Sequence, residues 1–243
     1  MPFAGSSRCA KLLAVPSASW IAHAGLPFAN PVSEADVDAA IDALPLPDAS
    51  LILDTGCGAG EMLLRALRRH PGARGLGIDL DAQAVDEARA RAGDLPAQFE
   101  VRDAATIGGT FEAVINVGAS HVHGGFPQAL GVLRALGPAL LYGEGFWQRP
   151  PSEALLDALG GARADELADL GGLRSAVQSA GFQILHESFA SEEDWARYEE
   201  TLAANAEHHG TADTLAYARR IRERRSLPEG TDTLGFALLV LAA

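Results

Sequence analysis

The 243-residue chain is poor in positive charge: 19 Lys and Arg stand against 32 Asp and Glu, the formal net charge is −13, and Lys11 is its single lysine. A chain this acidic does not hold a nucleic-acid backbone by broad charge neutralisation. It has only two cysteines, Cys9 and Cys57. Neither belongs to a C-x-x-C or Cys/His spacing, so a disulfide framework and a cysteine-built metal site are both excluded, and a reducing, cytoplasmic compartment is expected. No apolar run reaches the length of a membrane span. Near the start, Arg8 and Lys11 flank an apolar stretch, "LLAVPSASWIA". Pro16, Ser17 and Ser19 break it, so it does not read as a secretory leader.

What is present is ordinary for a globular protein: 48% hydrophobic and 21% charged residues, in a length that suits one domain. Residues 33–44, "SEADVDAAIDAL", open with Ser-x-x-Asp and repeat Val37, Ala40, Ile41 and Leu44 at helical spacing. Five apolar segments then read as strands, at 51–54, 74–80, 97–104, 111–120 and 138–145. Helical patterns fall between them at 60–70, 81–93 and 126–136. Such alternation predicts an α/β fold, with a mostly parallel sheet between two helical layers. A helix near 167–180, a strand in "FQILHESFA", a long polar helical stretch from Ser191 to Arg225 and a final strand in "TLGFALLVLAA" complete the chain. The run "RRIRERR" at 219–225 reads as a solvated helix end, with a partner patch as the competing reading.

The first strand runs into "LILDTGCGAGE", residues 51–61, where glycines stand at 56, 58 and 60. A glycine-rich turn between a strand and a helix lets a ligand approach the backbone. The third glycine is one position early for the dinucleotide fingerprint G-x-G-x-x-G. Glu61 follows it where a diphosphate would come close, and no G-K-[ST] follows. In this tight loop Cys57 reads as a small residue, not a nucleophile.

The pattern D-x-G-x-G-x-G starting at Asp54 resembles the first motif of the class I S-adenosylmethionine-dependent methyltransferases. The likeness continues through Asp79 in "GIDL", Asp103 in "VRDA" and the region of Asn116 to Ser120. It implies a Rossmann-like three-layer sandwich whose seventh strand inserts antiparallel between the fifth and sixth. It also implies S-adenosylmethionine as cofactor. On this reading Asp54, Gly56, Cys57, Gly58 and Gly60 lie against its amino-acid and ribose parts. Asp79 and Leu80 meet the ribose, Asp103 and Ala104 the adenine, and Asn116 and Gly118 end the fourth strand beside it. Taken singly, Asp79 also reads as a helix cap and Asp103 as a turn residue. Further stretches, "GASHVHGG", "YGEGFW", "SEEDWARYEE" and "DTLGFALLVL", are similar to a group of small bacterial methyltransferases. The sequence departs from the family at Ala113, where an acid often stands.

Ligands of open parallel sheets bind beyond the carboxyl ends of the strands. That selects His121, His123 and Glu144 as candidate catalytic residues. His121 or His123 is placed to take a proton, and Glu144 to bind an amine or orient a histidine. Trp20, His23, Phe28, Asn30, Phe146, Trp147, Trp195 and Tyr198 are candidate acceptor-site walls. Residues 1–47 are expected to form a cap on the same domain and 48–243 the catalytic domain. Competing structural roles exist: backbone bonding for each histidine, a turn cap for Glu144, core packing for Trp147, Trp195 and Tyr198. His121 and His123 also have the spacing of two metal ligands, but no further ligand run accompanies them, and no metal is expected. The acidic charge and the absence of [DN]-P-P-[YF] after the fourth strand point to a small-molecule acceptor. Two other functions stay open: a cofactor-binding sensor or partner subunit without catalysis, and a nicotinamide-dependent oxidoreductase.

Overall fold

The structure, a computed structural model, describes residues 17–230 and 232–243. Cys9 and the segment around Arg8 and Lys11 lie outside the described residues. A seven-stranded sheet in the order β3-β2-β1-β4-β5-β7-β6 forms the centre. Its strands are β1 (Leu51–Thr55), β2 (Arg74–Asp79), β3 (Ala97–Val101), β4 (Ala113–Val117), β5 (Ala139–Trp147), β6 (Gln183–Phe189) and β7 (Leu234–Ala242). Strands β1 to β5 pair in parallel; β7 runs antiparallel to both β5 and β6. The sheet therefore has the Rossmann-like order, with the last strand between β5 and β6, that the family resemblance implied.

Each face of the sheet carries its own core. On one side lie α2 (Glu34–Asp42), α3 (Glu61–Arg69) and α4 (Ala82–Ala92), which bury Val37, Ile41, Leu63, Leu67 and Val85 against Ile52, Ile115 and Leu141. On the other lie α5 (Gln128–Leu136) and α7 (Leu170–Ser179), which bury Leu130, Leu133, Leu173 and Val177 against Leu53, Leu140 and Leu239. Strands covered on both faces need apolar residues at successive positions, hence "ALLVLA" in β7. Ser33 caps α2 by accepting from Asp36 N at 3.0 Å.

A third, smaller cluster lies apart from the sheet. It joins α1 (Ala18–Ala22) to the hairpin of α8 (Glu192–His209) and α9 (Ala212–Ser226), through Ala22, Leu26, Leu202, Ala203, Ala206 and Ala218. The polar stretch that reads as one long helix is two, because Gly210 turns left-handed (φ 72°) and Thr211 starts a new capping box. The "RRIRERR" run is neither bare nor simply solvated. Arg222 pairs with Glu200 and Glu207, Arg225 with Glu200, and buried Arg224 with buried Glu199, stitching α9 to α8. Helices α1 and α6 (Glu153–Ala158) escaped the periodicity reading because each is too short to show a repeat.

The packing predicts where stability resides. Replacing Ile41, fully buried between α2 and the sheet, with alanine should cost about 2–5 kcal/mol. Leu215→Ala, at a site 43% exposed on α9, should cost under about 0.5 kcal/mol. Urea unfolding of both variants measures the difference; equal costs would contradict the assignment of α2 to the main core.

Candidate active site

A cavity of about 880 Å³ opens at the carboxyl ends of β1, β2 and β4. Its floor is the glycine turn and the strand-end acids; its roof is the segment from Ser17 to Asn30. The turn is fastened to β2. Gly56 and Cys57 donate their N–H groups to Ile78 O, at 2.9 and 3.0 Å, and Gly58 N donates to Asp79 Oδ2 at 2.9 Å. Gly58 holds a φ of 51° with open space where a Cβ would stand, so the bare backbone faces the cavity. These three amides are taken by Ile78 O and Asp79, so they are not free to cradle a diphosphate.

Asp79 Oδ1 accepts from Asp81 N at 2.9 Å. The cap of α4 is Asp81, which accepts from Gln83 N and Ala84 N, so Asp79 is left facing the cavity. A carboxylate oxygen has a second acceptor site, so Asp79 retains capacity for ligand hydroxyls. Leu80 beside it is 67% exposed, an apolar side chain held open at the cavity wall. Asp103 caps the short 3₁₀ turn Ala104–Thr106 through Ala105 N (2.9 Å) and also lines the cavity, as does Ala104.

Asp54 is the buried acid of the floor. Its Oδ2 has no protein partner, and it faces Asp79. Burial, reinforced by the neighbouring Asp79 charge, raises its pKa to about 8. Burial likewise pushes the Cys57 thiol far above its ordinary value, which makes it inert. Glu61, in contrast, is committed: Arg91 Nη2 lies 2.5 Å away and Arg65 and Arg68 both 3.3 Å.

The remaining candidates separate. Gly118 lines the cavity at φ 68°, and a Cβ there would meet Asn30 Oδ1 at 2.2 Å, so the missing side chain seats the roof on β4. Gly60 and Asn116 do not line it. Gly60 starts α3 with Phe99 and Ala88 packed where a Cβ would go. Asn116 is fully buried and donates to Thr55 Oγ1 (3.0 Å) and Ala119 O (3.1 Å), bracing the ends of β1 and β4.

The two histidines part company because they sit on a 3₁₀ turn, Ser120–His123, not on a strand. His121 is exposed and lines the cavity; His123 is buried away from it, with neither ring nitrogen partnered. Burial lowers the His123 pKa. Among the described residues, no group of three or more metal-ligating side chains exists. Glu144 also lies outside the cavity. Strand alternation turns it to the face of Tyr142 and Phe146, where it accepts from Tyr142 Oη (2.7 Å) and Gly145 N (3.1 Å). It is a buried structural acid in this arrangement, not a group that meets the contents of the cavity.

Of the aromatic candidates, Trp20, His23 and Phe28 line the roof. Phe146 and Trp147 instead border a separate depression, and Trp147 Nε1 donates to Ala164 O at 2.9 Å. Trp195 is half-buried beneath Arg224, 5.5 Å from its ring. The Tyr198 hydroxyl lies 2.7 Å from His23 Nε2 and 2.9 Å from Ala29 O. It works from behind the roof. Pattern reading missed Arg91, Arg102, Asp81 and Glu87 at the cavity rim. Only Arg102 had a usable signal, its place beside Asp103.

The buried acid gives a stability prediction. Its folded pKa exceeds its ordinary 3.8, so its contribution is full below about pH 4 and is lost as pH rises towards 8. Asp54→Asn should therefore raise the melting temperature of the ligand-free protein. The gain over wild type should widen from pH 4 to pH 8. A gap independent of pH in thermal scans would contradict the assignment.

Comparison with known proteins agrees with this geometry. Residues 52–139 match the family described as methyltransferase domain. Over 232 residues, 88% of this chain and 93% of the other, the sequence is 29% identical to the uncharacterized protein YjhP of Escherichia coli K12. The X-ray structure of E. coli YjhP aligns with a TM-score of 0.78 at 26% identity, covering 94% of this chain and 100% of that one. A methyltransferase from Thiobacillus denitrificans, solved with S-adenosyl-L-homocysteine, gives a TM-score of 0.79 at 26% identity over 94% of this chain and 99% of its own. By fold, motif and likeness, the chain has the Rossmann-like methyltransferase fold and is similar to S-adenosylmethionine-dependent methyltransferases and, along most of its length, to YjhP.

Proposed function

We propose that the cavity seats S-adenosylmethionine and that the protein transfers its methyl group to a small molecule by in-line displacement. The observation that carries this reading is the unpartnered Asp54 Oδ2, buried in a glycine-lined floor. A buried carboxylate without a partner is costly, and a cationic ligand group relieves it. The cofactor's α-ammonium is such a group. Asp79 suits the ribose hydroxyls, and Leu80, Asp103 and Ala104 suit the flat, amine-bearing adenine. The already bonded loop amides disfavour the diphosphate of a nicotinamide dinucleotide.

S-adenosylmethionine supplies a methyl group on a cationic sulfur, which needs no further activation. The protein's work is then alignment and exclusion of water. Trp20 and Phe28 close the roof against solvent. His23 does not serve as base: Nδ1 donates to Ser19 O at 2.7 Å, and Nε2 is covered by the Tyr198 hydroxyl. Its pKa is lowered by burial. His121, exposed within the cavity, is the imidazole placed to take a proton from an acceptor that carries one.

Calorimetric titration with S-adenosylhomocysteine tests the seat. Micromolar binding should weaken by at least ~10-fold in Asp79→Ala, the loss expected when a charged hydrogen-bond partner goes. Binding should also strengthen between pH 6 and 8, because the bound ammonium draws the proton off Asp54, and this dependence should vanish in Asp54→Asn. Binding of NADH in place of the adenosyl ligand would overturn the reading.

A further inference from the structure

The upper part of the same cavity carries information about the methyl acceptor. This step rests on the cofactor seat proposed above. The cavity, about 880 Å³, is near the upper end of the roughly 300–1,000 Å³ range of small-molecule pockets, so it admits a second small ligand beside the cofactor. The floor acids Asp54, Asp79 and Asp103 belong to the cofactor's end. What remains is the space under α1, walled by Trp20, Phe28 and His121.

Among the described residues, that space has one charge character. The described roof residues, 17–30, bring no Lys, Arg, Asp or Glu side chain to the cavity. Their titratable group is His23, whose two nitrogens are taken by Ser19 O and Tyr198 Oη. Two guanidinium groups are found among the described lining residues, Arg91 and Arg102, and both are committed. Arg91 holds Glu61 at 2.5 Å and Glu87 at 3.8 Å. Arg102 lies 3.5 Å from Glu100 and donates to Thr106 O at 3.1 Å. Arg91 stands against the glycine turn, where Nη1 donates to Ala59 O at 3.5 Å, and Arg102 stands beside Asp103. Carboxylates outnumber them in the lining, and the whole chain is at −13. An anion placed under α1 would lose its hydration without gaining a counter-charge. A flat apolar body would gain contact with Trp20 and Phe28, and a cation would gain the acidic field and the indole face.

We propose that the compartment under α1 binds an acceptor that is neutral or cationic, with an aromatic or similarly flat apolar body, and that it rejects carboxylates and phosphates. Trp20 is its principal wall, and His121 is the polar group that meets the acceptor's heteroatom.

A matched set of ring compounds tests this on the full chain saturated with S-adenosylhomocysteine. Tyramine, 4-ethylphenol and 3-(4-hydroxyphenyl)propionate share a phenol and differ in charge. Their affinities are read by calorimetry and by tryptophan fluorescence. Tyramine and 4-ethylphenol should bind at least ~10-fold more tightly than the propionate, a difference of about 1.4 kcal/mol. Trp20→Ala should remove that binding and Trp20→Phe should retain most of it, each variant first being saturated with S-adenosylhomocysteine. Equal or tighter binding of the propionate, no binding of any of the three, or binding indifferent to Trp20→Ala would each overturn the proposal. If S-adenosylhomocysteine itself fails to bind, the cofactor seat falls and not the acceptor class alone, so the two failures are told apart by the first titration.

Discussion

Two carboxylates crowded at the ends of adjacent strands set the terms for the rest of the site. Asp54 is the next-to-last residue of β1, in register with Gly77, and Asp79 ends β2. The glycine turn folds back over them, and its N–H groups are spent on Ile78 O and Asp79. Asp79 is thereby satisfied and stays at the surface of the cavity. Asp54 is buried, has one oxygen without a partner, and holds its proton up to about pH 8. The protein alone does not resolve that conflict. In the proposed function a ligand with a cationic centre does, so the acid pair is the weak point of the fold without ligand.

The roof answers the floor in different chemistry. Helix α1 docks on the α8–α9 hairpin, not on the sheet, through a small apolar cluster and hydrogen bonds from two side chains of α8. Asn205 Nδ2 donates to Ala22 O and Ala24 O at 2.9 and 2.8 Å, and Tyr198 meets His23 and Ala29 O. The hairpin is itself held by the Arg–Glu pairs between α8 and α9. Residues remote from the cavity thus shape it by holding the segment that closes it. Charge is concentrated below, where the cofactor's polar groups fall, and aromatic surface above. In the function proposed here, that division separates an acceptor compartment from a cofactor compartment within one cavity.

Much of this was legible in the sequence, because strand and helix periodicities are local. The apolar runs of β1, β4 and β7, the glycine turn and the strand-end acids all announce themselves in windows of a few residues. What was not legible depends on direction in space. Glu144 stands at the carboxyl end of a central strand, as a cleft residue should, but strand alternation aims it at Tyr142. His121 and His123 look like a pair on a strand; a 3₁₀ turn separates them, so that one reaches the cavity and the other is buried. Trp195 and Tyr198 share a helix face in sequence, but their relation to the roof appears only once α8 is folded against α1. Trp147 lies at the end of β5, too far along the sheet to share the cavity.

In the proposed function the buried Asp54 oxygen is kept for a cationic ligand group, and a crystal structure with bound S-adenosylhomocysteine tests this. The ligand's α-ammonium should lie within hydrogen-bond distance, roughly 3 Å, of Asp54 Oδ2, with the ribose hydroxyls on Asp79. A bound ligand whose ammonium lies elsewhere, with Asp54 Oδ2 still unpartnered, would contradict it.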